Sequence, residues 1–73
     1  MAFDYSKLDG RITEKCGTHK RFAEMMGLSA RSMSLKMNSK VGWKQEEIHK
    51  ACCILGIIAE EIPVYFFKAK VQN

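Results

Sequence analysis

The sequence predicts an all-α fold, a compact bundle of about five short helices. Three observations carry that expectation. Apolar residues recur three and four positions apart through most of the chain. Gly17, Gly27 and Gly56 each stand just after such a stripe, where a helix would stop. One Pro, five Gly and no convincing hairpin dipeptide leave little support for strands. Seventy-three residues, 47% of them apolar, suit one domain, residues 1–73, with a modest core.

The first helix follows a short arm and ends at Cys16-Gly17. Asp4 is its expected N-cap, and Tyr5, Leu8 and Ile12 form its inner stripe, with Phe3 available to staple the start. Gly10 weakens the helix by about 1 kcal/mol relative to Ala. Lys7, Arg11 and Lys15 share another face, open to water or to a nucleic-acid backbone. Cys16 is expected to be buried, the commoner fate of a free cysteine.

Residues 18–38 read as two short helices joined by a tight turn. Thr18 can cap the first, Gly27 can end it, and Ser29 can cap the second two residues later. A helix that stops and restarts so soon changes direction sharply, which is the helix-turn-helix signature. Phe22, Ala23 and Met26 fall on one face of the first helix, and the small Ala23 allows a close crossing. Met33 and Met37 face inward from the second. Ser29, Ala30, Arg31, Ser34, Leu35 and Asn38 are left outward or at the edge.

Residues 38–44 form a loop in which Trp43 is expected to plug the core rather than to stack on a nucleotide. Lys40 and Lys44 flank it as phosphate contacts. Residues 45–55 make the fourth helix, with Ile48, Ala51, Cys52 and Leu55 inside and Gly56 at its end. In residues 57–67 about one helical turn, 59–62, is expected to break near Pro63 and give way to an aromatic cluster. So short a segment cannot hide all of Ile62, Val64, Tyr65, Phe66 and Phe67. Part of the cluster is therefore a candidate association surface. Residues 68–73 read as a polar tail.

The charge is unevenly placed. The formal net charge is +4, and residues 1–43 hold eight Lys/Arg against four acids, while residues 44–73 hold four of each. Residues 25–45 contain no acid. Helix starts favour acidic residues by roughly 0.3–1 kcal/mol each. Gln45-Glu46-Glu47 and Glu60-Glu61 obey that rule, whereas the central pair opens with His19, Lys20, Arg21 and Arg31. A phosphate at those helix starts would offset the cost, so the pattern points to a polyanion such as double-stranded DNA.

Other classes are disfavoured. No nucleophile–base pair, carboxylate pair with a pocket or phosphate-binding glycine loop appears, so neither an enzyme nor a small-molecule substrate is expected. His49 with Cys52 or Cys53 has helical spacing, but two residues on one helix are an incomplete metal site, and no metal or other cofactor is expected. Three cysteines without a signal sequence fit a reducing cytoplasm. No apolar run approaches the roughly 18–20 residues that span a membrane.

FDYSKLDGRITEKCGT, FAEMMGLSARSMSLKMNSKVGWKQEEI and EIPVYFFKAKVQ together resemble the short Cro-like helix-turn-helix regulators of phages of Gram-positive hosts, which are of the lambda-repressor type. Within that group the chain is most similar to the modulator-of-repression (MOR) proteins of temperate phages. The resemblance implies a five-helix fold, operator DNA as a ligand in the lysogeny switch, and, for the modulators, contact with the phage CI-type repressor. It also implies roles. His19 and Lys20 would sit at the phosphate-facing start of the first motif helix. Ser29, Ala30, Arg31, Ser34 and Asn38 would be the major-groove positions, and Lys36 and Lys40 backbone contacts. Leu35 departs from the polar residue many relatives carry, and Ala30 offers no hydrogen bond. Arg31 is then the one long basic side chain among the groove positions.

Two compatible functions follow. One is a Cro-like regulator that reads operator DNA as a homodimer. The other is an anti-repressor that binds the N-terminal domain of the CI-type repressor, with Leu35, Tyr65, Phe66 and Phe67 as candidate partner contacts.

Overall fold

The computed structural model describes residues 3–69. Its order is α1 (Ser6–Cys16), α2 (His19–Met26), α3 (Ala30–Met37), α4 (Gln45–Leu55), a 3-10 turn (Ala59–Glu61) and α5 (Ile62–Phe66). The fold is all-α, five short helices around one core, as the periodicity predicts. Met1, Ala2 and the 70–73 part of the expected polar tail lie outside the described residues. Lys68 and Ala69 lie against the N-terminal arm: the Asp4 N–H donates to the Lys68 carbonyl at 2.8 Å, and Phe3 and Ala69 form one antiparallel bridge.

Every inward position read from helical spacing in α1, α2 and α4 is in the core or against it. Leu8, Ile12, Phe22, Met33, Leu55 and Phe66 are fully buried, each contributing roughly 1.5–3 kcal/mol. α1 packs on α2, α4 and α5, so its stripe of Tyr5, Leu8 and Ile12 is the centre of the bundle. Trp43 is half-buried and edge-on to Phe66, with ring centroids 5.2 Å apart. Its indole N–H is buried without an acceptor among the described residues.

The helix ends follow local chemistry. Gly27 takes a left-handed φ of 75°, and Leu28 N–H reaches the Ala23 carbonyl at 2.9 Å while Gly27 N–H reaches Glu24 at 3.1 Å. That is a Schellman end, which only a residue tolerant of positive φ closes cheaply. α3 ends in the same way without a glycine. Ser39 has φ 58°, and its N–H and that of Lys40 reach the carbonyls of Lys36 and Leu35. The Ser39 hydroxyl also accepts from Phe3 N–H and donates to the Phe3 carbonyl, each at 3.1 Å. The N-terminal arm is thereby fastened to the end of α3.

Four expectations are corrected. The N-cap position of α1 is Tyr5, not Asp4; Asp4 stands one residue further out, where its carboxylate still accepts from Ser6 N–H at 2.9 Å. Pro63 does not break a helix. It lies in the first turn of α5, where its missing N–H costs nothing, and the turn before it is 3-10. Cys16 is half-buried, its sulfur 3.8 Å from that of Met25. Arg11 does not face outward with Lys7 and Lys15. Its guanidinium donates to the carbonyls of Leu55 and Gly56 at 2.9 and 3.3 Å, satisfying the end of α4.

Candidate partner-binding surface of the helix pair

The surface begins with two caps. The Thr18 side chain accepts from Arg21 N–H at 3.1 Å, and the Ser29 hydroxyl accepts from Ser32 N–H at 3.1 Å. Both helices therefore start where the sequence placed them, two residues after a glycine turn in the case of α3. Phe22, Ala23, Met26 and Met33 are buried and lock the pair to the core. What remains outside is one continuous set of side chains from the start of α2 and the length of α3.

Most of the expected contact residues are on that outer surface. Lys20, Ser29, Ala30, Arg31, Ser34, Asn38 and Lys40 are exposed, and Leu35 is half-buried. His19 is exposed and hydrogen-bonded to the Asp9 carboxylate across from α1. Asn38 folds back on its own helix, its side-chain amide donating to the Ser34 carbonyl at 2.8 Å. That bond fixes the Asn38 amide in a defined orientation at the end of α3.

Lys36 is the exception among the basic residues. The resemblance implies a nucleic-acid backbone contact for it, but it is 5% exposed. Its ammonium is 2.8 Å from Glu47 Oε1 and donates to the Gly42 carbonyl at 3.1 Å, with the Trp43 ring beside it. Glu47 Oε1 also accepts from Lys44 N–H at 2.8 Å, the backward half of a capping box on α4. Burial pushes the Glu47 carboxyl up, but the Lys36 hydrogen bond, the Lys44 N–H and the charges of both lysines outweigh it, and its pKa lies below the usual value. Lys36 thus pins α3 to α4 and is not available to an external phosphate.

The aromatic candidates are also divided. Tyr65 and Phe66, candidate partner contacts from the sequence, are 8% and 2% exposed, because α5 turns them onto α1 and Trp43. Phe67, just past the helix end, is 52% exposed, its ring edge-on to Phe3. It borders an apolar cavity between α4 and α5, while Leu35 lies on α3.

Residues the sequence reading did not assign to the surface enter through the arm. A cleft of about 550 Å³ runs between the start of α1 and the outer face of α3. Ala30, Ser34 and Asn38 form one wall, and Asp4, Asp9 and Phe3 the other, with His19 and Lys20 at one end. Two carboxylates therefore flank the α3 face. Asp9 is placed by α1, while the place of Asp4 depends on the arm folding back to Ser39, a contact of 36 positions in sequence that no local pattern signals.

The geometry defines a five-helix, all-α fold in which α2 and α3, joined by a tight turn, share an outer face. The family described as "Protein of unknown function (DUF739)" matches residues 1–69, and the chain belongs to it. Among solved structures, the chain is similar to the modulator of repression (MOR) of the temperate bacteriophage TP901-1 from Lactococcus lactis. The two are 57% identical over 99% of this chain and 97% of that one, with a TM-score of 0.82. No curated protein matches the chain. Among the described residues no helix is long and apolar enough to cross a membrane.

Proposed function

We propose that this chain modulates a phage repressor, and that it does so chiefly by protein contact through the outer face of α2 and α3. The observation that carries the role is the full-length likeness, at 57% identity, to a protein solved as a modulator of repression. The preference for protein contact rests on the α3 face. Arg31 is its one long basic side chain in reach of a groove, Lys36 is withdrawn into an ion pair, and Asp4 and Asp9 stand beside it. A DNA reader gains affinity from each phosphate it neutralises, and carboxylates at that edge oppose it. The same carboxylates suit a partner whose own surface is basic, as the DNA-reading surface of a repressor is. The partner in this reading is the N-terminal domain of a CI-type repressor.

A second reading is direct operator binding as a Cro-like dimer. His19, Lys20 and Arg21 at the start of α2 favour it, since free N–H groups and basic side chains there suit a phosphate.

Both are tested by adding the protein to a preformed complex of the CI-type repressor N-terminal domain with its operator. Release of free DNA, with a protein–repressor complex co-eluting on size exclusion, supports the proposal. A supershifted or unchanged repressor–DNA band, together with a salt-sensitive complex of this protein with operator DNA alone, sinks it in favour of the second reading.

A further inference from the structure

On α4, bordering its core stripe, His49 and Cys53 stand one turn apart, both exposed, with His49 Nε2 and Cys53 Sγ 4.0 Å from each other. A tetrahedral zinc ion bound at about 2.0 Å to nitrogen and 2.3 Å to sulfur holds those atoms roughly 3.5 Å apart. The gap is half an ångström, within reach of small side-chain rotations. An imidazole with a thiolate suits a borderline-soft ion such as Zn²⁺ or Co²⁺, not Mg²⁺ or Ca²⁺, which require oxygen donors.

The chain alone supplies only half of what such an ion needs. Among the described residues no three His, Cys, Asp or Glu are arranged to hold a metal, and Cys52 is buried in the core. A closed site takes four donors. A second copy related by a two-fold axis brings the same pair and completes a His₂Cys₂ set, because a two-fold contact repeats every residue on both sides. The pair also lines an apolar cavity of about 740 Å³ between α4 and α5, with Ile48, Ile57, Ile62 and the half-exposed Phe67. A second copy placed by the ion would cover that cavity and Phe67 together.

We propose that His49 and Cys53 form a half-site for a zinc-type ion, completed by the same residues of a second copy, so that the ion joins two chains through the α4–α5 cavity. Each Cys53 thiol loses one proton to solvent on binding, two per ion, and the two thiolates cancel the charge of the metal. The site lies on α4 and is independent of the reading given to α2 and α3.

The test uses the full chain, reduced and metal-free, titrated with Co²⁺ and then with Zn²⁺. The expected result is visible absorption of tetrahedral thiolate-bound cobalt that saturates at one ion per two chains. Light scattering should show the mass doubling with Zn²⁺ and reverting with a chelator. His49→Ala and Cys53→Ser should each weaken binding by at least about tenfold, the lower end of what losing even an outer-shell partner costs, and should stay monomeric. Cys16→Ser should keep both properties. Circular dichroism should report unchanged helix content in all three variants, since none of these side chains is deeply buried. No cobalt absorption, one ion per chain without a mass change, or zinc-driven dimers of Cys53→Ser would each overturn the proposal.

Discussion

Lys36 and Glu47 give the residue scale its largest lever. Their side chains are 6% and 16% exposed, so each charge depends on the other. Removing one partner leaves a buried charge uncompensated, at about 3–5 kcal/mol. Lys36→Ala should therefore lose a large part of the stability of a domain this small, measured as a lower urea midpoint. Lys40→Ala, on an exposed lysine, should stay within about 0.5 kcal/mol of wild type. The pair also sets a pH dependence. The Glu47 carboxyl titrates below its ordinary 4.5 in the folded chain. The unfolded state then binds the proton more readily, so this contribution is complete above the unfolded value and fades as pH falls through the folded one. Stability measured from pH 6 downward should drop in acid in the wild type, and the drop should be shallower in Glu47→Gln. Sequence reading missed this pair for a physical reason. Lys36 has the spacing of an edge position on an exposed helix, and its partner lies eleven residues on, in another helix, across a loop whose path spacing does not encode.

At the scale of elements, the boundaries were largely legible and the arm was not. Caps and stops are local: Thr18, Gly27, Ser29 and Gly56 act on groups within a few residues, so the sequence states them directly. The end of α3 is different, since Ser39 takes the left-handed position that a glycine usually fills and is held there by the arm. Pro63 is ambiguous in the sequence because a proline stops a helix or starts one according to what precedes it, and here a 3-10 turn does. The Ser39 hydroxyl makes two hydrogen bonds at once. Ser39→Ala should lose both while keeping the positive φ, and should destabilise by about 1–3 kcal/mol. Ser39→Gly loses the same bonds but relieves the backbone. It should fall less far in urea midpoint, with the slope unchanged in both variants.

For the whole molecule, the question is which polyelectrolyte the α2–α3 face is built to meet, and charge decides it. The positive excess lies in the half of the chain that holds the helix pair, which argued from sequence for DNA. Folding redistributes that excess: Lys36 and Arg11 turn inward onto Glu47 and the end of α4, while Asp4 and Asp9 come to the edge of α3. The face that results carries both signs, with the acids beside Ala30, Ser34 and Asn38 and the bases at the start of α2. The two readings then differ in how repressor binding responds to one change. Asp9→Asn removes a negative charge from the cleft, keeps the side chain's size and replaces the carboxylate that His19 meets with a neutral amide. If the face meets a basic repressor surface, repressor binding should weaken by up to roughly fivefold, the 0.2–1 kcal/mol of an exposed charge pair. Non-specific affinity for duplex DNA should rise over the same range, and both effects should shrink as added salt screens the surface. If the face meets operator DNA instead, Asp9→Asn should tighten operator binding and leave repressor binding unmoved. Measuring both affinities of the one variant at two salt concentrations separates the cases, because one charge cannot help two partners of opposite sign.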